Sequence, residues 1–139
     1  MRLEPQAERL TITLSKAKDL PKNASGQTPN AQVKISVMQR TKQQTKESRV
    51  KKRSCHPSWK EAFSFLINVD PENLHYYTSV TVTIHDPEIG GESGVIGQVR
   101  FGQGAVQNSE IAHWKKVLQS MRKESTEWHR LMVCEDERD

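Results

Sequence analysis

The stretch Val80–Phe101, VTVTIHDPEIGGESGVIGQVRF, holds two strand-like runs around an acidic, glycine-rich loop. In the first run Val80, Val82 and Ile84 alternate with Thr81 and Thr83, the period of two that a strand with one buried face requires. In the second, Ile96 or Val95 is followed by Val99 and Phe101 with the same spacing. Outward from this pair the pattern repeats. LTITL places Leu10, Ile12 and Leu14 on one face, QVKISVM places Val33, Ile35 and Val37, and FSFLI places Phe63, Phe65 and Ile67. WHRLMV, Trp128 to Val133, is read as a last strand. Turn formers separate the runs: NASGQTPN, CHPS, NVDPEN and DPEIGGESG. Short strands punctuated in this way predict an all-β sandwich.

One segment has another period. SEIAHWKKVLQSM brings Ile111, Trp114, Val117, Leu118 and Met121 near helical spacing, and Ser109 before Glu110 suits a helix start. The spacing predicts a helix of two to three turns before the last strand. Trp59, Phe63 and Phe65 are expected in the core. Trp114 is expected to dock the helix and Trp128 to seal the last strand.

Composition bounds the function. A chain of 139 residues, 34% hydrophobic and 27% charged, suits one soluble globular domain, read as residues 1–133 with a charged tail at 134–139. No apolar run approaches the ~20 residues that span a bilayer, and MRLEPQAERL lacks the apolar stretch of a secretory leader. Cys55 and Cys134 are too few for a disulfide scaffold, which suits a reducing compartment. A net charge of +4 permits anionic partners without selecting one.

RLTITLSKAKDLP, QVKISVM, PSWKEAFSF, VTVTIHD, GVIGQVRFG, HWKKVL and EWHRL, taken in order, resemble a synaptotagmin-type C2 domain over nearly the whole chain. His113-Trp114 on the helix and Trp128-His129 near the end are similar to the second C2 domain of a tandem pair. The resemblance implies an eight-stranded antiparallel sandwich, its first strand shortened here. It also implies three loops at one end that, in active members, bind Ca²⁺ between aspartates. Calcium takes six to eight oxygens, mostly from carboxylates. The positions corresponding to the family's aspartates are Ala24 and Asn30 in the first loop, and Asp86, Glu88 and Gly94 in the third. Two carboxylates out of five, one of them a glutamate, predict a loop end that has lost its metal. The bland alternative is a polar hairpin loop, and residual binding at millimolar Ca²⁺ is the other. No cofactor and no metal are expected.

The family also carries a basic strand that meets anionic head groups or acidic proteins. Here its four lysine positions hold Gln44, Thr45, Lys46 and Glu47, and basicity returns downstream at Arg49, Lys51, Lys52 and Arg53. If Val50 points inward, strand alternation sends Arg49, Lys51 and Arg53 outward together, joined by Lys46 or Lys42. Charges on an exposed strand also serve simply to block edge pairing and keep a chain soluble. Arg122 and Lys123 match a second basic pair after the helix and are the remaining contact candidates.

Other chemistries find little support. The basic run has no interleaved aromatics to stack on bases, so nucleic acid is not expected. Cys55-His56 lacks partners at zinc-like spacing, and no phosphate loop, nucleophile elbow or triad spacing points to an enzyme. Two functions from different classes are expected. One is Ca²⁺-independent binding of anionic phospholipid in membrane trafficking and vesicle exocytosis. The other is interaction with trafficking proteins, an adaptor or another C2 domain, including homo- or hetero-oligomers. Either places the chain in the cytoplasm, peripheral to a membrane or as the cytosolic part of an anchored vesicle protein.

Overall fold

In a computed structural model, described for residues 1–133, the alternating runs form two antiparallel sheets packed face to face. The first sheet, in the order β1-β2-β5, joins β1 (Arg2–Glu4), β2 (Arg9–Lys16) and β5 (Ser58–Leu66). The second, β4-β3-β6-β7, joins β4 (Lys42–Glu47), β3 (Gln32–Gln39), β6 (Thr78–His85) and β7 (Val95–Gly102). Register follows the hydrophobic pattern. Leu10 faces Phe65 and Ile12 faces Phe63 in one sheet; Ile35 faces Val82 and Val37 faces Val80 in the other. A slip of one residue would turn each of these sets to solvent. Leu3, Leu10, Val33, Ile35, Val37, Phe65 and Val80 are all but inaccessible and form the centre of the core. Trp59 is buried with its indole N–H donated to the Arg49 carbonyl, whereas Phe63 is only partly covered.

The open side between β4 and β5 is closed by side chains. The Gln44 amide accepts from the Leu66 N–H and donates to the Leu66 carbonyl. Gln39 makes the same two-way contact with Asn68, and the Lys46 ammonium donates to the Ser64 carbonyl. These groups stand in for a neighbouring strand along the outward-pointing backbone of β5.

The sequence expectation differs from the structure in several places. NVDPEN, read as a turn, starts a helix, α1 (Pro71–Tyr76), because the Asp70 side chain caps the Glu72 N–H and Pro71 occupies the first turn, where its missing N–H costs nothing. The later helix, α2 (Asn108–Gln119), begins with a capping box between Gln107 and Glu110. Its buried face is Glu110, His113, Trp114 and Val117, while Ile111 and Met121 are exposed. WHRLMV makes a single bridge, Met132 with Gln98, and no strand; its other polar contacts go to side chains of α2 and of its cap residue Gln107. Trp128 is 56% exposed and seals nothing. The tail at 134–139, with Cys134, lies outside the described residues.

Candidate functional site

The β2–β3, β4–β5 and β6–β7 connections meet at one end of the sandwich, drawn together by Asn30 and Asp86. Asp86 is 2% exposed. One of its carboxylate oxygens accepts the Asn30 N–H at 3.1 Å and the other the Glu88 N–H at 3.0 Å. The Asn30 amide is used at both ends: its nitrogen donates to Glu88 Oε2 at 3.0 Å and its oxygen accepts the Arg53 N–H at 3.1 Å. The two carboxylates and the one neutral oxygen available to a cation therefore already hold N–H donors.

Gly94 closes the site further. Its N–H bonds back to Gly90 and Gly91, and the Asp86 N–H donates to its carbonyl at 2.7 Å. A Cβ at this position would lie 2.7 Å from the Asp86 carbonyl oxygen, so an aspartate there requires the loop to move. Ala24 sits exposed in a separate small turn, in which Asn23 Oδ1 accepts from the Ser25 and Gln27 N–H groups. Among the described residues no three His, Cys, Asp or Glu side chains are grouped to hold a metal, and Cys55 and His56 gain no such partners. The residues present do not fit Ca²⁺: only two of the five acids remain, both Asp86 oxygens, Glu88 Oε2 and the Asn30 amide oxygen already accept N–H donors, and the third-loop position admits no side chain as the loop stands.

The basic residues are distributed otherwise than strand alternation predicts. Beyond β4 the Ser48 hydroxyl accepts the Val33 N–H and the chain leaves the sheet. Val50 consequently points outward, 37% exposed, and Arg53 takes a left-handed turn with φ 47°. Lys51 keeps one ladder contact, with Ala31. Lys51, Lys52 and Arg53 thus form a turn at the loop end beside Asn30 instead of a row on a strand. Arg49 stands apart, 3.8 Å from Glu61.

Lys42 and Lys46 share a face of β4 with the inward side of the sheet, since they pair with Gln39 and buried Ile35. Lys46 lies over the Phe65 ring as well as on the Ser64 carbonyl, so its charge serves the seam. Lys42 belongs to the β3–β4 hairpin at the far end of the sheet. The outer face instead aligns Ser36 with Thr45 and Thr81, and sets Lys34 opposite Glu47. That face is hydroxyl-lined, and its lysine has an acid across from it. Arg122 and Lys123 are exposed in the turn after α2, where the Arg122 N–H bonds the Leu3 carbonyl of β1, on a different element from the basic turn.

A feature the sequence reading missed is the setting of Trp128. Lys18 and Lys16 place their ammonium groups 4.7 and 5.9 Å from its ring centroid. The residues were visible in the sequence, but their approach across more than a hundred positions was not.

Comparison with known proteins agrees with this architecture. The C2 domain family profile matches residues 8–117. Synaptotagmin-1 of Pongo abelii is 33% identical over 137 residues, which is 98% of this chain and 32% of the relative. Synaptotagmin-2 of Homo sapiens is also 33% identical over 137 residues, with the same coverage of each chain. The chain thus spans about a third of the length of these curated relatives. Among solved structures, a C2 domain of RIM from Drosophila superposes with a TM-score of 0.70 at 20% identity, covering 94% of this chain and 92% of that one. Among the described residues no helix is long and apolar enough to cross a membrane. With sandwich, loop end and profile in agreement, the chain belongs to the C2 domain family.

Proposed function

We propose that this C2 domain works without Ca²⁺ and meets anionic phospholipid through the basic turn at its loop end. The observation that carries the first part is the Asp86 carboxylate, whose two oxygens each hold a backbone N–H from a different loop. A cation would have to displace these donors and still lack three of the family's five acids. Lys51, Lys52 and Arg53 stand at the same end and supply positive charge without a metal. Near an anionic leaflet each contributes about 1 kcal/mol, screened over ~8–10 Å, so binding is weak and salt-sensitive. Calorimetry with millimolar Ca²⁺, paired with cosedimentation on phosphatidylserine vesicles with and without Ca²⁺, tests both parts. Heat on Ca²⁺ addition, or pelleting that rises with Ca²⁺, refutes the metal-free reading. Pelleting unchanged by Lys51→Glu, Lys52→Glu and Arg53→Glu together refutes the basic turn.

A second reading, docking of a trafficking protein with no lipid contact, is favoured by one observation. The β3-β4 face that carries lysines in the family is here hydroxyl-lined, with Lys46 turned into the seam. On this reading vesicles stay at background for the unaltered chain, and the charge reversals change affinity for a protein partner alone.

A further inference from the structure

His113 on α2 and His129 on the C-terminal segment lie edge to edge and nearly coplanar, with ring planes 12° apart and centroids 4.9 Å apart. Phe101 of β7 meets both rings edge-on, at 5.5 and 5.0 Å. His113 Nδ1 lies 2.7 Å from His129 Nε2, His113 Nε2 lies 2.8 Å from the Ser125 carbonyl oxygen, and His129 Nδ1 lies 3.1 Å from Ser109 Oγ. The carbonyl can only accept, which fixes the direction of the whole chain of contacts. His113 therefore carries its proton on Nε2, His129 donates from Nε2 to His113 Nδ1, and the Ser109 hydroxyl donates to His129 Nδ1.

This arrangement can take one proton without breaking a contact. A proton on His129 Nδ1 makes that atom a donor, and the Ser109 hydroxyl rotates to accept. A second proton has only His113 Nδ1 to bind, where it meets the His129 Nε2–H at 2.7 Å. Two donors then face each other between two cations.

We infer that the His113–His129 pair is a proton-operated latch that holds residues 126–133 on α2 with no proton or one proton added and releases them when both rings are charged. The remaining ties of that segment to α2 and its cap are exposed ones, Gln107 Nε2 to the Arg130 carbonyl and Lys116 to Glu127 at 3.5 Å. Such exposed pairs contribute little by themselves. The charged groups facing the pair are Glu110 of α2, Glu127 of the segment and the Met1 ammonium beside β1. The two acids favour protonation and the ammonium opposes it. Burial is the largest influence on both rings and holds them below the ordinary imidazole range.

The test is nitrogen NMR of the ¹⁵N-labelled chain from about pH 7.5 to about pH 4.5. Side-chain signals of His113 and His129 count the protons. The Gln98 and Met132 amides, which bond each other's carbonyls at 2.9 Å, report attachment, and the Val37 and Val80 amides report the body of the sandwich. With one proton the Gln98 and Met132 amides should keep their protection; with two, protection should fall at least about tenfold while Val37 and Val80 hold. His129→Gln and His113→Gln each leave a side chain that turns between donor and acceptor, so each should stay latched throughout. The latch is overturned if the doubly protonated chain keeps its Gln98 and Met132 protection. It is equally overturned if either glutamine variant detaches at the same pH as the unaltered chain, or if Val37 and Val80 lose protection in step with Gln98 and Met132.

Discussion

Two carboxylates, Asp86 at the loop end and Glu110 at the start of α2, are equally buried, each 2% exposed, and invite opposite readings. Asp86 sits in a glycine-rich loop where the family resemblance implies a metal position, while Glu110 sits in an ordinary helix start. Yet the structure treats them alike. Asp86 is completed by N–H groups of Asn30 and Glu88, and Glu110 by those of Arg100, Val106 and Gln107 at 2.8 to 3.0 Å. Burial of Glu110 raises its pKa, but the donors, Arg100 first, outweigh burial and hold the carboxyl below its ordinary value. At both carboxylates the backbone has supplied the donors that a buried negative charge requires.

Glu110 is where the likeness of the two carboxylates has its largest consequence. Glu110→Ala leaves three N–H donors without acceptors in a buried position and should cost about 3 kcal/mol or more, read from the urea midpoint. A loss below about 1 kcal/mol would mean that water reaches those donors and that the two carboxylates are not equivalent. Asn30→Asp has a smaller and more telling effect. It removes the amide donor to Glu88 and adds a third carboxylate to Asp86 and Glu88, destabilising by about 1–2 kcal/mol without metal. Millimolar Ca²⁺ should restore part of that loss in the variant and do nothing to the unaltered chain. Recovery in both would show that the unaltered loop end binds Ca²⁺ after all.

Acid should separate the groups by window. His113 and His129 are lowered from 6.5, so the unfolded chain binds more protons than the folded one below that value. Their contribution is present above about pH 6.5 and declines as pH falls through it, by roughly 1.4 kcal/mol for each unit of displacement. Glu110 is lowered from 4.5, and its contribution is lost only as pH falls below that value. Denaturation across pH should thus show two successive declines, and a single decline beginning below pH 4.5 would remove the histidines from the account. The smallest stability change belongs to Lys51, Lys52 and Arg53, exposed or half-exposed in their turn. Reversing each to glutamate should alter stability by less than about 0.5 kcal/mol, measured by thermal melting, so that a larger change would assign them a folding role.

The alternation of Val80, Val82 and Ile84 or of Val33, Ile35 and Val37 was legible because each strand presents one face to one core, and period two has no other use there. Asn30, Asp86, Glu88 and Gly94 were singled out by residue type, and the structure brings them together. Their mutual saturation was not legible, because main-chain donors carry no side-chain signature. Arg49–Arg53 misled for a related reason: alternation holds only while the ladder lasts, and Ser48 ends it with its hydroxyl. Pro71 and Asp70 did hold a readable helix start, and the turn formers around them masked it. Trp128 looked like a core residue by type, and Lys16 and Lys18, distant in sequence, set its surroundings instead.

The seam along β5 carries a consequence for crowded solution. The backbone groups of Ser64, Leu66 and Asn68 point away from β2, and left bare they would offer an incoming chain a template for cross-β growth. Gln39, Gln44 and Lys46 occupy them from within the same molecule. Three polar side chains that reach across between the sheets thus cover this border, and Lys46, exposed yet laid along β5, puts a charge where self-templating would begin.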